Sequence, residues 1–235
     1  MKISIIHPSR GRAKQAYETA IKWLSRTFYD YNIEYILSID HSDSEQSKYL
    51  IACSHLGKVV VSDNHSAIEA INNAAKIATG DLFIVISDDF DCPMGWDKLL
   101  LEALADKSDF VVKTDDGQQE WIITLPIMDR VYYERFGYIY NPSYEHLFAD
   151  TEMTHVADLL CRNITLPIKF PHNHYTTGIT PKDPINVKND ATWAQGEKIY
   201  LERVKDNFGL TTHGKLQCGI NHINWLRAHG IQITE

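Results

Sequence analysis

Leu82-Phe83-Ile84-Val85-Ile86-Ser87-Asp88-Asp89-Phe90-Asp91-Cys92-Pro93 is the stretch that decides how this 235-residue chain folds. Five consecutive apolar residues followed by a polar run have the length of a strand buried on both faces, as in a parallel sheet. Helical patterns flank it. Upstream, Ala67, Ile68, Ile71, Ala74, Ala75 and Ala78 recur at helical spacing and Gly80 stops them. Downstream, Trp96, Leu99, Leu100, Ala103 and Leu104 mark the next helix. Further out, 3–7, 33–39 and 59–61 read as strands, and 14–25 reads as a helix with Tyr17, Ala20, Ile21 and Leu24 on one face. Residues 110–112 and 121–125 read as two more strands. Such alternation predicts an α/β fold: a Rossmann-like, open, twisted, mostly parallel sheet flanked by helices.

The second half is less regular, with Pro at 126, 142, 167, 171, 181 and 184 and with aromatic and His residues in the intervening segments. Helices are expected around 153–161 and 193–208, the second burying Ile199, Tyr200, Val204 and Phe208, with a strand around 164–170. Residues 218–235 are expected to add a helix through Ile223, Trp225, Leu226 and Ile231. No long linker separates the halves, so one compact unit is expected, with 126–235 as the substrate-facing part.

Composition excludes several classes. The net charge of −8 disfavours a broad basic surface for nucleic acid or anionic lipid. Cys53, Cys92, Cys161 and Cys218 form no Cys-x-x-Cys pair, so neither a zinc ribbon nor a dense disulfide framework is indicated. No apolar run near the start approaches the roughly 20 residues of a membrane span, and a cytoplasmic protein is expected. The P-loop, the Gly-x-Gly-x-x-Gly fingerprint and the Gly-x-Ser-x-Gly elbow are all absent.

In an open α/β sheet, ligands bind beyond the carboxyl ends of the strands. Acidic residues cluster there: Asp40 and Asp43 after one strand, and Asp88, Asp89 and Asp91 after another, with Asp150 and Glu152 later in the chain. Three carboxylates within four positions repel one another, and a hard divalent cation, Mg²⁺ or Mn²⁺, is the usual compensation.

The segment from His65-Ser66-Ala67 through Ala78-Thr79-Gly80-Asp81 to Ser87-Asp88-Asp89-Phe90-Asp91-Cys92-Pro93 and Gly95-Trp96 resembles the nucleotide-sugar half of GT-A glycosyltransferases, family 2 above all. Ile5-Ile6-His7-Pro8-Ser9-Arg10-Gly11-Arg12 is similar to that family's opening strand and nucleotide loop. The resemblance covers residues 3–100 well and the rest loosely, and it implies a single domain, 1–235, in which 1–125 bind the nucleotide sugar and 126–235 form the acceptor side. It implies donor-nucleotide contacts from Pro8, Ser9, Arg10, Arg12, Asp40, Asn64, Ser66 and Asp88. It also implies a metal, Mn²⁺ or Mg²⁺, held by Asp89 or its neighbours Asp88 and Asp91, with His174 or His172 completing the site and His174 preferred. Phe148-Ala149-Asp150-Thr151-Glu152-Met153 looks like the family's acidic motif, which implies Asp150 as the base, with Glu152 beside it as the second candidate. Lys113, Asp116 and Trp121 are candidates for sugar or acceptor contacts. The implied reaction is inverting transfer from a nucleoside diphosphate sugar, UDP-linked by preference, to a glycan, a protein or a modified nucleic-acid base. A nucleotidyltransferase of similar fold and a non-catalytic carbohydrate-binding module are the competing readings.

Overall fold

The structure is a computed structural model and describes residues 1–210. The helix expected over 218–235 lies outside the described residues. The first half alternates as β1 (Ile3–Pro8), α1 (Ala13–Ser25), β2 (Ile33–Asp40), α2 (Gln46–Cys53), β3 (Lys58–Ser62), α3 (Ala67–Ile77), β4 (Leu82–Val85) and α4 (Trp96–Leu104). There follow β5 (Val111–Asp115), β6 (Ile127–Asp129), α5 (Arg130–Phe136), α6 (Ala149–Leu159), β7 (Asn163–Lys169), α7 (Pro184–Asp190) and α8 (Trp193–Lys205).

The strands form one sheet of order β3-β2-β1-β4-β6-β5-β7, parallel except for β6, which runs antiparallel to both neighbours. β4 lies at the centre and all four of its residues are buried. Because alternate side chains of a strand point to opposite faces, each strand feeds two cores. Ile6, Ile36, Phe83 and Val85 meet Ile68, Ile71 and Ala75 of α3 and Met153 of α6. Ile5, Leu37 and Ile84 meet Ala16, Ala20 and Trp23 of α1 and Trp96 and Leu100 of α4. Trp23 links the helices of that face: its ring packs edge-on against Trp96 at 5.1 Å, and its carbonyl accepts from the Trp96 indole at 2.9 Å.

Three sequence expectations are corrected. α1 buries Ala13, Ala16, Ala20 and Trp23, while Ile21 is exposed and Tyr17 and Leu24 are only partly covered. Small residues face the sheet because they let the helix lie close to it. In α4, Leu99 and Ala103 are exposed, and Asp97 is buried, where its carboxylate accepts the backbone N–H groups of Phe28 and Tyr29 at 2.7 Å each. Residues 121–125 are not a strand: the Ile123 N–H goes to the Thr154 hydroxyl at 2.9 Å, and the Thr124 hydroxyl goes to Asp116 at 2.6 Å. With that backbone tied to side chains, the strand forms after Pro126, as β6.

Helices α2, α5 and α7 lie in segments with little apolar periodicity; α2, for example, buries only Tyr49 and Cys53. Among the described residues no helix is long and apolar enough to cross a membrane.

Candidate active site

The carboxyl ends of β1, β2 and β4 open into a cleft of about 650 Å³, within the range of small-molecule sites. Its far wall is built from the loop 118–126, the start of α6, the loop after β7, and helices α7 and α8. One end of the cleft carries Pro8, Ser9, Arg10 and Asp40, with Ser66 and the apolar Ile68 and Ile71. Arg10 is paired there with Asp40. Ser66 caps α3 by accepting the Glu69 N–H at 3.1 Å. Asn64 is buried outside the cleft, bonded to Asn73 at 2.9 Å.

The acidic run after β4 splits three ways. Asp88 turns toward β1, where one oxygen meets His7 Nε2 and the other accepts from Ser9 Oγ, each at 3.0 Å, with Arg12 3.8 Å away. Asp91 turns away from the cleft, paired with Arg26 at 2.6 Å and Lys22 at 3.3 Å. Asp89 faces the cleft, accepting from the Ser87 hydroxyl at 2.5 Å and standing 3.4 Å from His172 Nε2. Burial alone would raise its pKa, but the hydrogen bond and charge of His172, helped by Ser87, outweigh it and hold the Asp89 carboxyl well below the usual carboxylate range.

A short antiparallel bridge selects the histidine that Asp89 meets. Asp91 N–H donates to the Pro171 carbonyl at 2.8 Å and Asn173 N–H to the Asp89 carbonyl at 2.9 Å. Phe90 and His172 pair between them with their rings stacked at 4.1 Å. His174 lies one step on, its ring 5.2 Å from that of His172, bonded to the Thr176 hydroxyl at 2.9 Å. The sequence reading prefers His174; in the structure it is His172 that abuts Asp89.

Asp150 and Glu152 also part company. Asp150 lies in the first turn of α6, half-buried at the cleft wall, and accepts the Thr151 N–H at 2.8 Å. Burial pushes its pKa up, and the bonds from Thr151 and the nearby His172 offset this only in part. Glu152 is buried on the other side of the helix, bound by Arg203 at 2.6 and 2.8 Å, Tyr144 at 2.7 Å and Asn141 at 3.0 Å. Glu152→Ala should therefore leave Arg203 without its partner and cost about 3 kcal/mol of stability. It should spare transfer wherever the variant is folded, which a melting curve paired with an activity assay will show. Transfer lost in Glu152→Gln at unchanged stability would instead make Glu152 the base.

Lys113 and Asp116 do not line the cleft; they build the loop that does. Lys113 is buried and donates to the Gln119 carbonyl at 2.8 Å. The Asp116 carboxylate accepts from Gln118 and Gln119 N–H at 2.8 and 2.7 Å. That loop presents Trp121, stacked on His155 at 5.3 Å, to the cleft.

Sequence reasoning missed His146, Trp193, Glu197 and the α7 segment, all of which line the cleft or close its edge. Asp183 caps α7 and receives both Nε and Nη2 of Arg12 at 2.7 and 2.8 Å, tying this segment to the loop after β1. Nothing local marks these residues, since their role depends on contacts across the whole chain.

Solved structures share the architecture. S. aureus TarS superposes with a TM-score of 0.61 at 13% identity over 97% of this chain, which spans 48% of the TarS chain. TarS 1-349 in complex with UDP-GlcNAc gives 0.58 at 14% identity, covering 98% of this chain and 80% of that one. The mannosyltransferase PcManGT from Pyrobaculum calidifontis, in complex with GDP-Man and Mn²⁺, gives 0.59 at 15% identity, covering 98% and 81%. Identities this low speak to the fold alone. No curated protein sequence matches the chain. The sequence pattern of the family described as Glycosyl transferase family 2, however, matches residues 4–154, well over half the chain and the part that carries β1, the acidic run and the start of α6. With the GT-A sheet in place around those residues, the chain belongs to glycosyl transferase family 2 and is a glycosyltransferase.

Proposed function

We propose that the protein transfers a sugar from a nucleoside diphosphate sugar to an acceptor hydroxyl with inversion, Asp150 serving as the base and a divalent cation assisting at Asp89. The observation that carries this reading is the opening of Asp89 with His172, and of Asp150, into one cleft whose other end is the polar and apolar recess of Arg10, Asp40 and Ile68. That recess suits a nucleoside, UDP-linked by preference. The complexes of TarS with UDP-GlcNAc and of PcManGT with GDP-Man support a donor of this class.

The donor atoms present suit a cation shared with substrate. Asp89 and His172 stand 3.4 Å apart, near enough for a carboxylate oxygen and an imidazole nitrogen to hold one hard divalent cation together. Among the described residues no group of three or more His, Cys, Asp or Glu forms a complete ligand set. An ion here would draw its remaining ligands from diphosphate and water, as Mg²⁺ and Mn²⁺ do in phosphate sites. Asp89 and His172 would hold it, with His174 adjacent, and it would neutralise charge on the departing diphosphate. Asp91, engaged by Arg26 and Lys22, is not part of this proposal.

Asp150 does the proton chemistry. The acceptor hydroxyl oxygen attacks the anomeric carbon, its proton passes to a carboxylate oxygen of Asp150, and the bond to the diphosphate oxygen breaks with its electron pair leaving on the diphosphate. A carboxylate raised by burial is a better base than one in water. Trp121 and Trp193 offer flat faces to a sugar ring at the acceptor side.

The test is a panel of UDP- and GDP-sugars with Mn²⁺, scored by thermal shift and by release of nucleoside diphosphate. A true donor should raise the melting temperature, since a ligand of the native state stabilises it by mass action. It should also be turned over. No shift and no release across the panel would reject the proposal.

A further inference from the structure

Along β1, Ile3, Ile5 and His7 point to the same face, and all three are fully buried. An imidazole in such a place is costly unless both ring nitrogens find partners, and here both do. Nδ1 meets the Tyr35 hydroxyl at 2.8 Å, and Nε2 meets the Asp88 carboxylate at 3.0 Å. An ionised carboxylate only accepts, so Nε2 carries the proton of the second bond. An aliphatic side chain would fill this position without any such demand.

Asp88 is the point on which the bonds converge. Its second oxygen accepts from Ser9 Oγ at 3.0 Å, Ser9 Oγ lies 2.8 Å from the Tyr49 hydroxyl, and that hydroxyl accepts the Arg12 N–H at 2.9 Å. Its backbone carbonyl accepts from the Thr19 hydroxyl of α1 at 2.8 Å. The side chain of Asp88 is thus fastened to β1 and the loop after it, its main chain is fastened to α1, and Asp89 is the next residue. The nucleoside recess is held separately. Ser9 N–H donates to the Ser38 carbonyl at 3.0 Å, Gly11 N–H donates to the Asp43 carboxylate at 2.7 Å, and Arg10 pairs with Asp40, all on β2 or just after it.

We infer that His7 is a positioning residue: by holding Asp88 it sets the direction of Asp89 relative to the nucleoside recess, and Asp88 is a brace in the cleft wall and not a contact to the donor. This role rests on the nucleotide-sugar reading, in which the recess takes the nucleoside and Asp89 the cation at the diphosphate. Both Asp88 oxygens are already engaged, and its side chain is only 6% exposed. A brace formed before the nucleotide arrives removes an ordering cost from binding. Without it, that cost falls on a ligand that must reach from the recess to Asp89, and not on a ligand of the recess alone.

Calorimetry with UDP and Mn²⁺, set beside NMR titration with uridine, tests this; GDP and guanosine replace them if the wild-type protein prefers guanosine. His7→Leu should weaken Mn²⁺-supported UDP binding by about 10–100-fold, the range for a hydrogen bond to a charged group, and leave uridine affinity unchanged. His7→Gln, whose amide N–H can reach the same carboxylate, should recover most of the loss. In an Asp88→Ala background, His7→Leu should bring no further loss, because the residue it acts through is gone. Should His7→Leu not fold, Tyr35→Phe, which removes only the hydroxyl behind Nδ1, should weaken UDP by about 2–10-fold with uridine again unchanged. A melting temperature that falls while the ratio of UDP to uridine affinity keeps its wild-type value overturns the inference and leaves His7 a packing residue. Equal losses for both ligands overturn it as well, as do additive losses in the double variant or a loss of uridine affinity in Asp88→Ala, which would mark a contact to the ribose. Wild-type protein that binds neither UDP nor GDP overturns the nucleotide-sugar reading and takes this inference with it.

Discussion

Asp150→Asn is expected to lower the rate of sugar transfer by about 10²–10⁴-fold, the usual cost of losing a general base, while donor affinity stays unchanged. The pH profile should carry the same signature. Burial raises the Asp150 pKa above the ordinary carboxylate value, and only the ionised form accepts a proton. Transfer by the wild type should thus rise with pH through a limb displaced toward neutrality, and the residual activity of Asp150→Asn should lack that limb. Stability moves the other way. A carboxyl whose pKa is higher folded than unfolded binds more protons in the native state, so its contribution to stability falls as pH rises through the folded value. Removing its charge should not lower the melting temperature at pH 7, and a neutral amide still accepts the Thr151 N–H. Were Asp150 only a helix-terminus anion, the substitution would destabilise α6 by up to about 1 kcal/mol and spare the rate. Steady-state kinetics beside melting curves at two pH values separate the two.

Asp89→Asn should lose Mn²⁺-supported donor binding and transfer together. Second-sphere substitutions alone cost metal sites about 10–100-fold in affinity, so loss of the charged ligand should cost at least that much. Chelation of the wild type by EDTA should mimic the variant. His172→Ala should follow Asp89→Asn closely and His174→Ala should fall short of it, because His172 is the ring 3.4 Å from the carboxylate. The stability signature is again opposite in sign to that of Asp150. The folded-state pKa of Asp89 is depressed, so its contribution is present above the unfolded carboxylate value, about 3.9, and is lost as pH falls through the folded value. Asp89→Asn should therefore melt lower than the wild type at pH 7, with the gap closing in strong acid. Equal UDP affinity with and without EDTA in the wild type would remove the cation from the site.

The order of strands and helices through α4, α2 excepted, was legible from the sequence because it rests on local regularities. A buried parallel strand needs an unbroken apolar run such as 82–86, and a helix covering it needs apolar residues every three or four positions, as in α3. The position of the acidic run at the end of β4 follows from the same reading, since a chain leaving a buried strand enters solvent and turns polar. Local rules weakened where the burying partner was distant: α1 presents alanines and Trp23 because of what the sheet tolerates, and 121–125 forgoes a strand because Thr154 and Asp116 take its polar groups.

The roles of neighbouring acids were a tertiary decision. Asp88, Asp89 and Asp91 are nearly indistinguishable in sequence, yet His7 and Ser9 hold the first at the cleft wall, Arg26 draws the third away from the cleft, and only the second stands beside His172. Asp150 and Glu152 differ by two positions, which on a helix is more than half a turn, so one meets the cleft and the other meets Arg203, 51 positions away. The choice of His172 over His174 rests on the backbone bridge between 89–91 and 171–173. The sequence alone determined the strands β1 to β4, the helices α1, α3 and α4 between and after them, and the set of candidate acids, since those follow from the period of burial along the chain. Which candidates share a cleft was decided only by the tertiary structure, since proximity across 60 to 170 positions of chain is set by how the elements dock and leaves no trace in any local window.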